Sequence, residues 1–312
     1  MSSTEALRTR HAVVRELRAH FDEQGFVEVD TPAMVVSPGL EVHLDAFEVH
    51  GGPQPRYLHT SPEYHMKRLL GRGLPRIYQL GKAFRRGEVG HLHQPEFTML
   101  EWYRAGAGSD EMMRDTEQLV FRAAKAVCGG PVLPARGEPG APRTPIDVTP
   151  PWPRLTVREA FARYANVDLD ALPPDEDAFF RVLIERVEPQ LGRGRPTLLT
   201  HYPAQMASLA RIHPDDPRSA DRFEAYVAGI ELCNGFGELV DASEQRSRLE
   251  ADVRTRAQLG KPAYPIDERF LQALEKGIPE SGGNALGVDR LVMLLSGAKR
   301  IQDVVAFDAS QV

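Results

Sequence analysis

The stretch RIYQLGKAFRRGEVGHLHQPEFTMLEWY, residues 76–103, does most to limit what this chain can fold into. Two apolar runs, 76–85 and 95–103, flank the polar loop RGEVGHLHQ, the pattern of a long β-hairpin. Along the second run Phe97, Met99, Glu101 and Tyr103 project from one face, and Glu96, Thr98, Leu100 and Trp102 from the other. Both faces are mostly apolar, which puts the strand in the interior of a sheet. TLLTHYPA and FEAYVAGIELCNGFGELVD resume strand character further on, with Asn234-Gly235 predicted as a hairpin turn. Long strands joined by tight turns imply an antiparallel sheet, and the helical segments between them make the class α+β.

The helices are legible from periodicity and caps. Ser2 followed by Glu5 reads as a capping box, and Leu7, Val14, Leu17 and Phe21 then recur at helical spacing until Gly25. FVEV, 26–29, is a short strand stopped before Pro32, and HLDAFEVHG reads as another strand. SPEYHMKRLLGRG is an N-capped helix from near Ser61 to Gly71 or Gly73, and a helix with few breakers covers about 109–127. Residues 129–153 hold eight prolines and four glycines, too many for a regular element, so they are predicted as a surface insertion or linker. Helical pieces follow at about 156–164 and 175–190, then the charged helix SEQRSRLEADVRTRAQLG and a shorter one, DERFLQALEKG. The chain closes with GGNALGVDRLVMLLSG, a glycine-rich lead into an apolar helix. The expectation is one catalytic domain over 1–312, with an insertion at about 104–195.

Composition removes several classes of function. A net charge of −6 gives no global basic field for nucleic acid. Cys128 and Cys233 stand alone, which fits neither a zinc pattern nor a secreted disulfide framework. The N-terminus lacks a signal-peptide core, and no apolar run of 18 residues occurs, so a cytoplasmic protein without membrane attachment is expected.

Three segments carry chemistry. In the first, Glu101 is a carboxylate on a buried strand and needs a cationic partner, either a ligand or a structural lysine or arginine. Arg85, Arg86, His91 and His93 flank the loop and either grip an anion such as phosphate or form a solvated hairpin tip. His91 and His93 also suit a metal, but no third ligand has convincing spacing. In the second, Glu224, Glu231 and Glu238 recur every seven residues in an apolar segment. Strict alternation puts Glu224 and Glu231 on opposite faces, and a bulge at Gly229 would bring them together. Such a pair either holds Mg²⁺ on nucleotide phosphates or belongs to structural ion pairs. In the third, Gly287 allows close approach of a ligand to the backbone, and Arg290 lies in a first helical turn where a cation is disfavoured, so it either stacks on an aromatic ring or has a structural role.

Together these segments resemble the motifs of a class II aminoacyl-tRNA synthetase catalytic domain: GFVEVDTP is similar to motif 1, FRRGEVGHLHQPEFTMLEWY to motif 2 and GNALGVDRLVMLL to motif 3. SPEYHMKRLL, HQPEFTMLEWY and GIELCNGFGEL resemble the lysine-activating branch. No anticodon-binding domain is expected before motif 1, and within the branch the chain resembles the stand-alone paralogues that lysylate elongation factor P. The resemblance implies an antiparallel sheet flanked by helices, and ATP and Mg²⁺ as cofactors. It implies lysine or β-lysine as substrate, elongation factor P as acceptor with tRNA disfavoured, and a homodimer through motif 1. By position it implies Arg85 on the α-phosphate, His93 on the phosphate tail, and Phe97 stacked on adenine opposite Arg290. Both arginines would be catalytic. Arg86, Glu88, Gln94, Leu232 and Gly287 would complete the ATP site, and Glu224 and Glu231 would hold Mg²⁺. Glu63 would take the α-amino group, Glu101, Tyr103 and Glu238 the side-chain ammonium, and Ser61, Pro62, Asn234 and Ala285 would line the amino-acid pocket.

Three positions depart from the synthetase pattern. Gly87 follows Arg85-Arg86 and moves the motif 2 glutamate one place on, to Glu88; Gln94 stands where asparagine is usual. Ala285 occupies a glycine position of lysyl-tRNA synthetases, and in the resembled family an alanine there accompanies preference for (R)-β-lysine. A truncated synthetase-like ligase acylating tRNA or another amine remains the alternative, as does, from a different class, a catalytically dead regulatory paralogue.

Overall fold

The protein is described from a computed structural model, covering residues 4–52, 54–136, 144–173 and 176–312. The Ser2 cap falls outside these residues. The chain begins with α1 (Thr4–Glu23), β1 (Val27–Glu28), β2 (Met34–Val35), β3 (Glu48–Val49), β4 (Arg56–Leu58) and α2 (Glu63–Leu70). The long hairpin is β5 (Arg76–Phe84) and β6 (Glu96–Ala105), followed by α3 (Ser109–Cys128), β7 (Val132–Arg136) and β8 (Thr144–Asp147). Then come β9 (Arg154–Thr156), α4 (Val157–Ala160), α5 (Glu176–Val182), β10 (Thr197–Pro203), β11 (Ile212–His213), β12 (Asp216–Val227) and β13 (Ile230–Gly237). The remainder is α6 (Ala242–Gln258), α7 (Glu268–Glu275), β14 (Ser281–Gly287) and α8 (Val288–Ser296).

The central sheet runs β1-β5-β6-β14-β13-β12-β10-β9, with β11 beside β12. Every pair in it is antiparallel except β1 with β5 and β9 with β10, at its two ends. The two faces have different tasks. Leu100, Trp102, Tyr78, Leu286, Ala225 and Cys233 point into the main core beneath α1, α3 and α8. The alternate residues, with Glu101, Tyr103, Asn234 and Ala285 among them, face a large cavity. This is the alternation expected for β6, and it holds because β14 on one side and β5 on the other make β6 an interior strand.

Several local expectations are corrected. Asn234-Gly235 is not a turn but lies mid-strand in β13, and the hairpin turns at Ala228-Gly229, with φ of +57° and +73°. Two successive positive φ values are the geometry of a tight hairpin turn, and Gly229 supplies it as a turn residue rather than as a bulge. Gly235 is needed for space: a Cβ there would lie 2.4 Å from the Phe223 ring. The bulge lies farther along, where the register slips from Ala225↔Cys233 to Tyr226↔Glu231. The glycine-rich lead at 281–287 is a strand, β14, hydrogen-bonded between β13 and β6. Within 129–153, β7 and β8 form a two-stranded ladder, so that stretch does contain regular structure. HLDAFEVHG contributes only the two residues of β3. The 104–195 span is not peripheral throughout, because Met112, Leu119, Val120 and Ala123 of α3 belong to the main core and β9 extends the sheet.

Candidate active site

The cavity encloses about 790 Å³ on the open face of the sheet. At one end lie three carboxylates from three elements: Glu63 on the first turn of α2, Glu101 on β6, and Glu238 just past β13. Glu101 and Glu238 are each 1% exposed. Ser61 ties the group together, since its Oγ accepts from the Glu63 backbone N–H at 3.0 Å and donates to Glu101 Oε1 at 2.6 Å. Tyr103 OH donates to the other Glu101 oxygen at 3.1 Å. Burial, with the Glu63 charge adding to it, pushes the Glu101 carboxyl up to about 8. Burial likewise lifts Glu238 to about 8, although Lys67 pulls the other way. Gly283 of β14 passes so close that a Cβ would sit 2.1 Å from Glu238 Oε1 and 2.4 Å from the Tyr103 ring. Ala285 pairs with Glu101 on one side and Asn234 on the other, so its methyl forms the wall between them. Among the described residues Asn234 Oδ1 is buried without a hydrogen-bond partner.

The other end carries mixed charge. Arg290 donates to the Glu231 carbonyl at 2.6 Å, to Glu231 Oε2 at 3.2 Å and to His93 Nε2 at 2.7 Å. Because a guanidinium only donates, that contact requires His93 Nε2 to accept, which makes the ring neutral with its proton on Nδ1. Burial, reinforced by Arg290, holds the His93 pKa below the ordinary value in agreement. Glu231 is kept in its charged range against burial, chiefly by Arg290. A cation in the first turn of α8 is thus offset by a partner from β13. The Phe97 ring has the Arg85 guanidinium over it at 5.1 Å. Arg85 lies where the two ends meet, since its charge bears on both Glu101 and Glu231. Asp289 braces this end by accepting from the Thr98 backbone N–H at 2.8 Å and from Arg10 of α1, which also reaches Thr98 Oγ1 at 2.6 Å.

Most of the expected residues line this cavity: Ser61, Glu63, Arg85, Glu88, His93, Gln94, Phe97, Glu101, Tyr103, Glu224, Glu231, Leu232, Asn234, Glu238, Ala285, Gly287 and Arg290. Arg86, Pro62 and His91 do not. The Arg86 side chain is exposed, as a residue beside a loop glycine can be, and Pro62 serves as the helix N-cap. Gln94 spends its amide on structure, donating to the His93 carbonyl at 3.1 Å and accepting from the Ala309 backbone N–H at 3.0 Å. Glu88 stays 3.8 Å from Arg85. Sequence reasoning missed Arg222, which is largely but not fully buried beside Glu224 at 2.7 Å and lies 4.4 Å over the Tyr202 ring. Its signal was its place two residues before Glu224 on the same face of a strand. It also missed Glu188, which shares Tyr226 OH with Glu224 and has no strand register to betray it.

The family described as tRNA synthetases class II (D, K and N) matches residues 1–311. The chain belongs to the class II tRNA synthetase family. Curated relatives named "Elongation factor P--(R)-beta-lysine ligase" match over nearly their whole length. The one from Enterobacter sp. (strain 638) is 42% identical over 96% of this chain and 93% of its own. The one from Edwardsiella ictaluri (strain 93-146) is 42% identical over 97% and 94%, and that from Proteus mirabilis (strain HI4320) 43% over 95% and 92%. As a class II synthetase-type site, the cavity fits the family's use of ATP and a divalent ion. Glu224 and Glu231 both face it, because the two-residue turn at Ala228-Gly229 pairs Glu231 with Tyr226, which lies two residues from Glu224 on the same face of β12. Burial and the nearby Glu224 charge push Glu188 up to about 7, a sign of excess negative charge that a divalent cation would relieve. Among the described residues no three His, Cys, Asp or Glu side chains form a metal cage. Among the same residues no helix is long and apolar enough to cross a membrane.

Proposed function

We propose that the chain activates a lysine-type diamino acid, (R)-β-lysine before α-lysine, as its adenylate with ATP, and transfers it to the ε-amino group of a lysine on elongation factor P. The observation that carries this reading is the trio Glu63, Glu101 and Glu238, buried at the closed end of the cavity. Buried carboxylates are costly unless a cation meets them, and a neutral amino acid would leave them unpaired. Glu63 takes the amino group nearer the reacting carboxylate, while Glu101, Tyr103 and Glu238 take the side-chain ammonium. Asn234 offers its free Oδ1 as a further acceptor. The Ala285 methyl narrows the wall between Glu101 and Asn234, which favours an amino group displaced from the α-carbon.

The nucleotide lies at the Arg290 end, its adenine over Phe97 and its phosphates toward Arg85 and His93. Arg85, between the two ends, stabilises charge on the α-phosphate as the amino-acid carboxylate attacks it and pyrophosphate leaves. Glu224 and Glu231 would hold Mg²⁺, which when bound neutralises charge on the triphosphate. In the second step the acceptor amine attacks the activated carbonyl and AMP departs. No nucleophile from this chain is required. The relatives' printed names and the net charge of −6 support a protein acceptor over tRNA. Exposed Val27, Met34 and Val36 in and just after the motif 1 segment support a homodimer through that edge.

The test is to incubate the protein with ATP, Mg²⁺, elongation factor P and either (R)-β-lysine or lysine, and to weigh elongation factor P intact. A gain of one aminoacyl residue, faster with (R)-β-lysine, is expected. Stable acylation of tRNA with elongation factor P unmodified would overturn the reading, and faster activation of α-lysine would overturn the stated preference.

A further inference from the structure

The amino-acid end of the cavity contains a cation of its own. Lys67, one turn beyond Glu63 on α2, is 1% exposed, and its Nζ lies 2.6 Å from Glu63 Oε1 and 2.5 Å from Glu238 Oε2. Phe270 of α7 closes the space behind it, with its ring centroid 5.9 Å from Nζ. Lys67 does not line the cavity: it reaches Glu63 and Glu238 from behind, leaving the cavity side to a ligand. Among the described residues the other charged or titratable groups around the cluster include Glu101 and Tyr103 from β6, Arg85 beyond them, and Glu41 and Tyr64 beside Glu63.

We propose that Lys67 is the fixed counter-charge of the amino-acid pocket, a positioning residue that aims Glu63 and Glu238 and sets the pocket's charge. When all three carboxylates are ionised around the ligand, one lysine leaves two negative charges uncompensated, and a diamino acid brings two ammonium groups. Without Lys67 a bound diamino acid would leave one of the three carboxylates unmatched, and that carboxylate would stay protonated at neutral pH. The inference rests on the lysine-type reading of the pocket and specifies why that pocket is selective. Burial alone would strip the proton from Lys67, but Glu238 and Glu63 more than offset this and hold it charged. Lys67 in turn draws Glu238 toward its charged form.

The variants K67Q and K67R are compared with wild type by ATP–pyrophosphate exchange with (R)-β-lysine and lysine between pH 6 and 9. Glutamine keeps a polar side chain of similar bulk but carries no charge. For K67Q the amino-acid KM at pH 7 should rise at least about 10-fold, and the acid limb of kcat/KM should move up by roughly one pH unit. The ATP KM should stay within about twofold, because Lys67 is remote from the phosphate end. K67R should show a raised amino-acid KM with its acid limb at the wild-type pH. Melting curves establish that each variant is folded; if K67Q is not, K67R decides, and a wild-type KM there overturns the proposal. So does K67Q with unchanged KM and limb, or with amino-acid and ATP KM raised equally and the limb unmoved. Wild-type protein that shows no exchange with either diamino acid would bring down the lysine-type reading itself, a separate failure.

Discussion

The two ends of the cavity both concentrate charge, yet they handle it in opposite ways. At the Glu101–Glu238 end the charges are excluded from water, and two carboxyls are displaced upward to about 8. At the Arg290 end they are partly exposed, 17% for Arg290 and 37% for Glu231, and are matched in pairs within the protein. The contrast fits the ligands proposed for each end. A triphosphate is large and anionic, and partly hydrated arginines can regroup around it without a large desolvation penalty. A small ammonium group must be told from a methyl group, and only desolvated acceptors make that distinction large.

If this contrast is correct, the largest loss should come from the buried end. Glu238→Gln removes one buried charge and leaves Lys67 short of a partner, so amino-acid activation should fall on the order of 10³-fold. Activity near wild type would erase the difference between the ends. Arg290→Ala should cost less, about 10²-fold in kcat/KM for ATP, because the site loses one of several cationic contacts. Arg86→Ala should change the ATP KM by less than about threefold, since that side chain is exposed outside the cavity. A loss comparable with Arg290→Ala would place Arg86 on the nucleotide.

Part of this contrast was legible in sequence and part was not. The β6 strand, with Glu101 and Tyr103 on one face, follows from strict alternation over 96–103, where no glycine or proline disturbs it. Glu231 and Glu238 stood out as carboxylates in apolar surroundings. What stayed hidden was long-range pairing. GGNALG lacks β-propensity and reads as a loop, yet it is a strand whose glycines are set by Glu238, Tyr103 and Gly108 pressing on it from other elements. Asn234-Gly235 has the composition of a turn and is held extended by β12 and β14 on either side. Lys67 carries no signal in the sequence beyond that of a basic residue in a helix's last turn, because its partner Glu238 lies 171 positions away, just past β13.

The pH dependence separates the ends with the least perturbation. A carboxyl whose pKa rises from 4.5 to about 8 on folding contributes stability that is present at low pH and lost as pH rises through 8. A bound diamino acid reverses the sign, since it favours the ionised carboxylates and drives protons off. The rise in melting temperature caused by (R)-β-lysine should therefore grow from pH 6 to pH 8. A constant rise over that range would mean that Glu101 and Glu238 are already charged in the free protein.

The central claim is that buried carboxylates select a substrate with a side-chain ammonium. Its most direct test is ATP–pyrophosphate exchange with lysine, (R)-β-lysine and norleucine, which has lysine's carbon chain without the terminal ammonium. Exchange with norleucine should be at least about 10³-fold slower in kcat/KM than with (R)-β-lysine. Exchange within about tenfold of it would contradict the account, because a pocket that tolerates an apolar end cannot be organised around Glu101 and Glu238.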